Sequence, residues 1–311
     1  MLEIFFATDL HGSELCWRKF LNAAKFYGVN VLICGGDMTG KAMIPIVQEN
    51  GRYELEVKGE RMVVGAEEID AVEGQVRRRG YYPIRVTPEE LQELDRHPAV
   101  RDAAFQRQIL ATVERWMDMA EEKLKGTGVR CFVCPGNDDD FDVDSVVARS
   151  DLVELGEGRV VELDGFELIS TGWANPTPWN THREEPEDRL RGRIEAMVQQ
   201  LRDPSRAIFN LHPPPYRSGL DEAPAVDKDM KLMHGGNALR AVGSTAVRGA
   251  IDQHQPVLSL HGHVHESKGA TKLGRTLSIN PGSSYEEGAL MGAVVKLDPR
   301  KGIKSYQLVT G

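Results

Sequence analysis

Cysteine is scarce: Cys16, Cys34, Cys131 and Cys134 are the only four in 311 residues. That is too few for a disulfide framework in a chain of this size, and it fits a reducing compartment. No stretch approaches the ~18 consecutive apolar residues that a membrane span needs. The opening Met1-Leu2-Glu3-Ile4-Phe5-Phe6-Ala7 is too short and too acidic for a signal peptide. The expected location is therefore the cytoplasm, with no membrane partner. A positive balance is missing as well: the formal net charge of −9 provides no broad basic face for a phosphate backbone, so long duplex nucleic acid is not the expected substrate. A small phosphoester held by metal ions is still compatible with that charge, because the ions bring their own. Repeats and low complexity are also absent, which leaves a globular chain of one large domain or a core carrying an insertion.

What is present is a rhythm of short apolar runs that end in polar residues. Residues 1–7 predict a buried strand feeding Thr8-Asp9-Leu10-His11-Gly12. Residues 13–27 space Leu15, Phe20, Leu21, Ala24 and Phe26 as a helix does, and Gly28 is a suitable stop. Residues 29–34 predict a second buried strand running into Gly35-Gly36-Asp37, and residues 129–134 a third running into Pro135-Gly136-Asn137-Asp138. Further strands are expected at 159–163, 166–171, 207–211, 257–260, 275–279, 289–297 and 303–308, with helices at 186–201 and 244–253. Residues 41–128 break the rhythm. They predict a small hairpin across 53–64, a helix opening at Pro88 behind Thr87 as N-cap, and a long charged helix over 98–125. The whole of 1–311 thus reads as one α/β domain of two packed sheets flanked by helices, with 41–128 inserted as an α+β cap and a returning helix. The insertion could dimerise the chain or roof the site.

Five clusters follow predicted strands directly: Asp9-Leu10-His11, Gly36-Asp37, Gly136-Asn137-Asp138-Asp139, His212, and His261-Gly262-His263-Val264-His265. Groups at the carboxyl ends of strands can converge on one crevice. This mixture of carboxylate, imidazole and amide suits divalent Mn, Fe, Zn, Ni or Co, and sulfur takes no part in it. Two such ions about 3.5–4 Å apart can clamp an in-line displacement at phosphorus and activate a bridging water or hydroxide.

The order DxH, GD, GN, H, GHxH resembles the calcineurin-like metallophosphoesterase family. The surrounding residues 172–181, His212-Pro213-Pro214-Pro215, and His263-Val264-His265-Glu266-Ser267 followed by Asn280-Pro281-Gly282 look like its subgroup of predicted prokaryotic phosphoesterases. The insertion lies outside the resemblance. The resemblance implies a four-layer α-β-β-α sandwich of two mixed sheets and two divalent metal ions, manganese among the candidates. It implies that Asp9, His11 and His265 bind one ion, that Asn137, His212 and His263 bind the other, and that Asp37 bridges both. Gly36 would let the backbone approach the metals, and Gly262 would allow the turn that aims His263 and His265 inward.

One departure matters. The family often reads GNH, with the His assisting the leaving group, and here Asp138 stands in that place. An Asp with a reference pKa of about 3.9 needs strong elevation to act as an acid near neutrality, which is not expected beside two dications. The expected activity is therefore phosphodiester hydrolysis through a metal-bridging hydroxide, with Asp37, Asn137 and Asp138 as catalytic residues. A phosphomonoesterase and a non-catalytic scaffold are the competing readings.

Other residues carry paired readings. The loop 172–181, with Trp173 and Asn175, either lines the substrate crevice or packs as a surface loop held by its indoles. His234 either assists protonation or sits on a solvated loop. His261 is expected to be structural, and His97, His182 and His254 to lie on the surface. Arg217 and Arg248 could contact phosphate. Cys131 and Cys134 have CxxC spacing, but strand geometry sends positions three apart to opposite faces, so they are expected to be buried hydrophobes. Residues 139–144 are expected to cap the following helix.

Overall fold

In chain order the first elements are β1 (Leu2–Ala7), α1 (Glu14–Tyr27) and β2 (Val31–Cys34). There follow β3 (Ala42–Glu49), β4 (Arg52–Val57), β5 (Glu60–Gly65), α2 (Ile69–Arg78), β6 (Tyr81–Val86), α3 (Pro88–Arg96) and α4 (Pro98–Leu124). Next come β7 (Arg130–Val133), α5 (Asp142–Val147), β8 (Val153–Leu155), β9 (Val160–Leu163), β10 (Phe166–Thr171), α6 (Glu187–Val198) and β11 (Ile208–Leu211). The last are β12 (Glu222–Pro224), β13 (Leu239–Ala241), α7 (Thr245–His254), β14 (Leu258–Leu260), β15 (Gly269–Leu273), β16 (Thr276–Asn280), β17 (Met291–Asp298) and β18 (Gly302–Thr310). The structure is a computed structural model that describes residues 1–225 and 238–311. Among these residues no helix is long and apolar enough to cross a membrane.

Two mixed six-stranded sheets dominate, ordered β18-β17-β1-β2-β7-β8 and β15-β16-β14-β11-β10-β9. In the first, β1, β2, β7 and β8 run parallel, and β17 pairs antiparallel with β1. In the second, β10, β11, β14 and β16 run parallel between antiparallel β9 and β15. The period-2 alternation of β1 shows how the sheets are buried. Leu2, Ile4 and Phe6 join one apolar cluster with Phe132, Leu168, Ile208, Leu258 and Ile279, so residues of both sheets share a core. Phe5 and Ala7 join another cluster with Trp17 and Phe20 of α1 and Trp116 of α4. Ile169, Phe209 and Leu211 pack with α6 and α7.

Local chemistry fixes the helix ends. Ser13 caps α1 by accepting from the Cys16 amide at 3.4 Å, and Gly28 closes it in the left-handed region at φ 66°. Thr87 and Glu90 form a reciprocal capping box on α3, at 3.2 and 2.8 Å.

Between β2 and β7 lies a separate four-stranded sheet, β5-β4-β3-β6, with its own core of Ile46, Leu55, Val57, Ile69, Val72 and Val76. The expected hairpin is β4–β5. Strands β3 and β6 were not expected, and each carries a proline, which argues against a strand interior. The register explains how they are tolerated. Pro83 lies on edge strand β6, and β3 pairs with β4 only over Val47–Glu49, so no partner on that side asks Pro45 for an amide hydrogen. Helix α4 ties this sheet to the main body: Ala104 packs against Val86 and Leu94, whereas Ile109 to Leu124 pack in the α1 core. There the Trp17 and Trp116 rings stack at 5.0 Å and 6°, and the Trp17 indole donates to the Trp116 carbonyl at 3.0 Å.

All four cysteines are buried and free. Cys131 belongs to the α1 core, whereas the Cys134 thiol lies against Glu157 at 3.4 Å. Burial pushes all four thiols up, and at Cys134 the neighbouring Glu157 carboxylate adds to it. The thiolate is the reactive form. Native protein at pH 8 is therefore expected to resist iodoacetamide at all four positions and to label fully once unfolded. Rapid native labelling of any one, read by mass spectrometry, would contradict that packing.

Candidate metal centre

The carboxyl ends of five parallel strands deliver the cluster residues. β1 leads to Asp9 and His11, β2 to Asp37, β7 to Asn137 and Asp138, β11 to His212, and β14 to His263 and His265. The loops are laced together. Asp9 and His11 amides donate to the Gly36 and Asp37 carbonyls, both at 2.9 Å, so the β1–β2 pairing continues past the strands. The Asp138 amide donates to Asp37 Oδ1 at 3.0 Å, and the His263 amide to both Asp9 oxygens at 3.1 Å.

Asp9, His11, Asp37 and His263 all have positive φ, at 54°, 40°, 48° and 66°. This region costs free energy for residues with a side chain, and it persists only where the surroundings enforce it. The surroundings here are crowded. A Cβ on Gly36 would lie 2.3 Å from His212 Nδ1, and one on Gly262 would lie 2.2 Å from Thr8 Oγ1 and 2.3 Å from Asp9 Oδ2. Gly262 is thus needed for space, and the left-handed residue of the turn is His263.

Ligand-type atoms gather in three overlapping groups: Asp9, His11 and His265; Asp37, His212 and His263; and His11, Asp37 and Asp138. His11 Nε2 and His265 Nε2 are 3.0 Å apart, with Asp9 Oδ1 3.3 Å from the latter. Asn137 Oδ1 is 3.0 Å from His212 Nε2 and 2.8 Å from His263 Nδ1. Asp37 Oδ2 lies 3.4 Å from His212 Nε2 and 3.7 Å from His11 Nε2, between the groups.

The donor set tests itself for a cation. His212 Nδ1 faces the Gly35 carbonyl at 3.1 Å, and a carbonyl only accepts, so the ring's hydrogen is there. Charged His212 donates from Nε2 toward Asn137 Oδ1 and Asp37 Oδ2, whereas the neutral ring offers a lone pair there that a cation can take. Either way the two oxygens converge on a place that needs positive charge, a proton on His212 Nε2 or a metal ion in its stead. The titration tendencies agree. Burial would lower His212, yet the Asp37 and Asp9 carboxylates outweigh it and raise it to about 9. Burial lowers His11 to about 3 and, with the His212 charge, lowers His263 to about 4. Burial opposes ionisation of Asp37, but His212 and His11 hold it well below the usual carboxylate range.

Burial and the neighbouring Asp37 charge raise Asp138 to about 6, against the pull of Lys41. Lys41, at the start of the inserted segment, pairs with Asp138 Oδ2 at 2.8 Å. Nothing in the sequence singled out this lysine.

Several other residues have structural partners. His261 is buried, with Nδ1 on the Leu211 and Pro213 carbonyls and Nε2 on Ser259 Oγ. Asp139 does not cap α5. It is fully buried and accepts from the Met38, Thr39 and Gly136 amides and from Thr39 Oγ1, bracing one site loop against another. Trp173 packs under the Arg193 guanidinium at 4.1 Å and beside Phe141 at 5.9 Å, and Asn175 donates to the Val242 carbonyl. His254 is half-buried on Glu195 rather than at the surface. Arg248 pairs with Asp252 and Arg217 lies over Tyr216. His234 lies outside the described residues.

No family model matches the chain. Over 151 residues it is 29% identical to the uncharacterized protein MJ1162 of Methanocaldococcus jannaschii, a match covering 47% of this chain and 61% of that one. The chain thus spans less than two thirds of that relative. TT1561 of Thermus thermophilus is similar in structure at a TM-score of 0.54, with 15% identity over 100% of this chain and 98% of the other. A novel archaeal phosphodiesterase is matched at a TM-score of 0.40 and 11% identity, over 100% of both chains. The motifs that resemble the calcineurin-like metallophosphoesterases are thus carried on two mixed sheets, in a fold similar to that of TT1561.

Proposed function

We propose that the chain is a divalent-metal-dependent phosphoester hydrolase that favours phosphodiesters. The observation that carries this reading is the meeting of four atoms of metal-ligating type, His212 Nε2, His263 Nδ1, Asn137 Oδ1 and Asp37 Oδ2, beside a second group of Asp9, His11 and His265. Asp9, His11 and His265 would hold one ion, Asn137, His212 and His263 another, and Asp37 would reach both. Bound there, two divalent ions supply Lewis-acid charge to the phosphoryl oxygens and an activated water.

The chain's own residues set the preference. Asp138 is carried next to Asp37 and keeps 17% of its side-chain surface open, so it faces arriving phosphate with negative charge. A diester carries one negative charge fewer than a monoester dianion and is repelled less. Lys41 offsets this repulsion and favours a second reading, a phosphomonoesterase.

Chelation should abolish hydrolysis, and re-addition of Mn²⁺ should restore it. At equal metal loading, an aryl phosphodiester should turn over on the order of tenfold faster than the matching monoester, a factor that about 1.4 kcal/mol of repulsion supplies. Lys41→Met should widen that ratio by leaving the Asp138 charge uncompensated. Equal or faster monoester turnover in the wild-type chain would support the second reading.

A further inference from the structure

The loop after β10 is the longest motif that the proposed chemistry leaves unused, and it holds a chain of hydrogen bonds ending on a proposed metal ligand. Asn137 has a polar choice. Its amide can turn either the oxygen or the NH₂ group toward His212 and His263, and the two ends have nearly the same shape. Only the oxygen can bind a cation.

We infer that Thr181 and Glu184 are positioning residues that fix this choice. Asn137 Nδ2 lies 2.8 Å from Thr181 Oγ1, and Thr181 Oγ1 lies 2.6 Å from Glu184 Oε1. Glu184 also takes the Thr177 amide at 2.8 Å, the Thr177 hydroxyl at 2.5 Å and the Thr181 amide at 3.0 Å. A carboxylate surrounded by four donors is an acceptor only, so the Thr181 hydroxyl hydrogen points at Glu184. Thr181 then offers Asn137 a lone pair, which only the NH₂ end can meet. The second amide hydrogen has Asp138 Oδ1 at 3.5 Å on the same side. Turning the amide over would set its oxygen against the Thr181 oxygen and the Asp138 carboxylate, and would aim NH₂ at the imidazoles. The polarity of one half-buried carboxylate is thereby relayed through a hydroxyl to the ligand atom.

The backbone holds the relay in register. The Arg183 amide donates to the Asn137 carbonyl at 3.2 Å, while the Ala174 amide donates to the Arg183 carbonyl at 2.9 Å and the Glu185 amide to the Ala174 carbonyl at 3.0 Å. The loop therefore closes on itself around Thr181.

This inference rests on the two-ion reading, and a titration of the metal-free chain with Co²⁺, followed by calorimetry and visible absorption, separates the two. The wild-type chain should take up two ions. Thr181→Val should keep one site at wild-type affinity and weaken the other by about 10–100-fold, the usual effect of losing the partner that orients a ligand. Thr181→Ser, which retains the hydroxyl, should restore the second site. Equal affinities in Thr181→Val and the wild type, uniform weakening of both sites, or failure of Thr181→Ser to rescue would each overturn the positioning role. Uptake of fewer than two ions by the wild-type chain would overturn the two-ion reading itself.

Discussion

Asp37→Asn should lower phosphodiester turnover by at least about 10²–10³-fold, because it removes the one carboxylate placed between both candidate ligand groups. The two Asp37 oxygens have different tasks. Oδ1 accepts the Asp138 amide at 3.0 Å, and an asparagine oxygen can continue to do so. The new NH₂ group would then occupy the Oδ2 position, 3.4 Å from His212 Nε2 and 3.7 Å from His11 Nε2. It would present hydrogens where a cation needs lone pairs. The substitution is nearly isosteric, so folding should survive. The loss should appear as reduced bound metal, measured by elemental analysis, together with reduced kcat/KM. A variant within threefold of wild type in both measurements would refute the bridging role.

Parts of this molecule were legible in the sequence because single segments carried the information. Strands β1, β2, β7, β11 and β14 are apolar runs that stop at polar residues, and a buried parallel strand has no other pattern to show. The seven candidate ligands follow those stops, so position along the chain was enough to find them. The inserted sheet was only half legible. Its hairpin alternates clearly, whereas β3 and β6 carry Pro45 and Pro83, and their tolerance for proline depends on which neighbour pairs where. The second rank of the site was not legible. Lys41, Thr181, Glu184 and Arg183 matter through partners 97, 44, 7 and 39 positions away, and no local pattern encodes such meetings. Asp139 looked like a helix cap because it precedes α5, yet its partners are on the loop after β2.

Arg183→Met should be the most destabilising single change at the rim of the site, costing about 2–3 kcal/mol and lowering Tm by roughly 3–5 °C. Arg183 is the largest charged side chain in the buried interior, with only 1% of its surface exposed. Burial disfavours its charge, yet the bonds to Asp144 outweigh that and raise its pKa. The guanidinium spans four partners: it donates to the Asp139 carbonyl at 3.1 Å, the Asp140 carbonyl at 3.2 Å and both Asp144 oxygens, and it lies over the Phe141 ring at 4.7 Å. Methionine fills much of the volume but leaves two carbonyls and a carboxylate without their donors. Asp144 keeps 27% of its side-chain surface open and can recover some hydration, so the cost falls below that of a fully buried broken pair. The damage should also be directional. The bonds that are lost brace residues 139–144, immediately after Asn137 and Asp138, so cobalt affinity at the Asn137 group should fall more than affinity at the Asp9 group. Thermal unfolding and metal titration of the same variant check both halves. Unchanged Tm would show that the guanidinium is dispensable to the loop, and a drop in Tm with both metal sites intact would confine its role to folding.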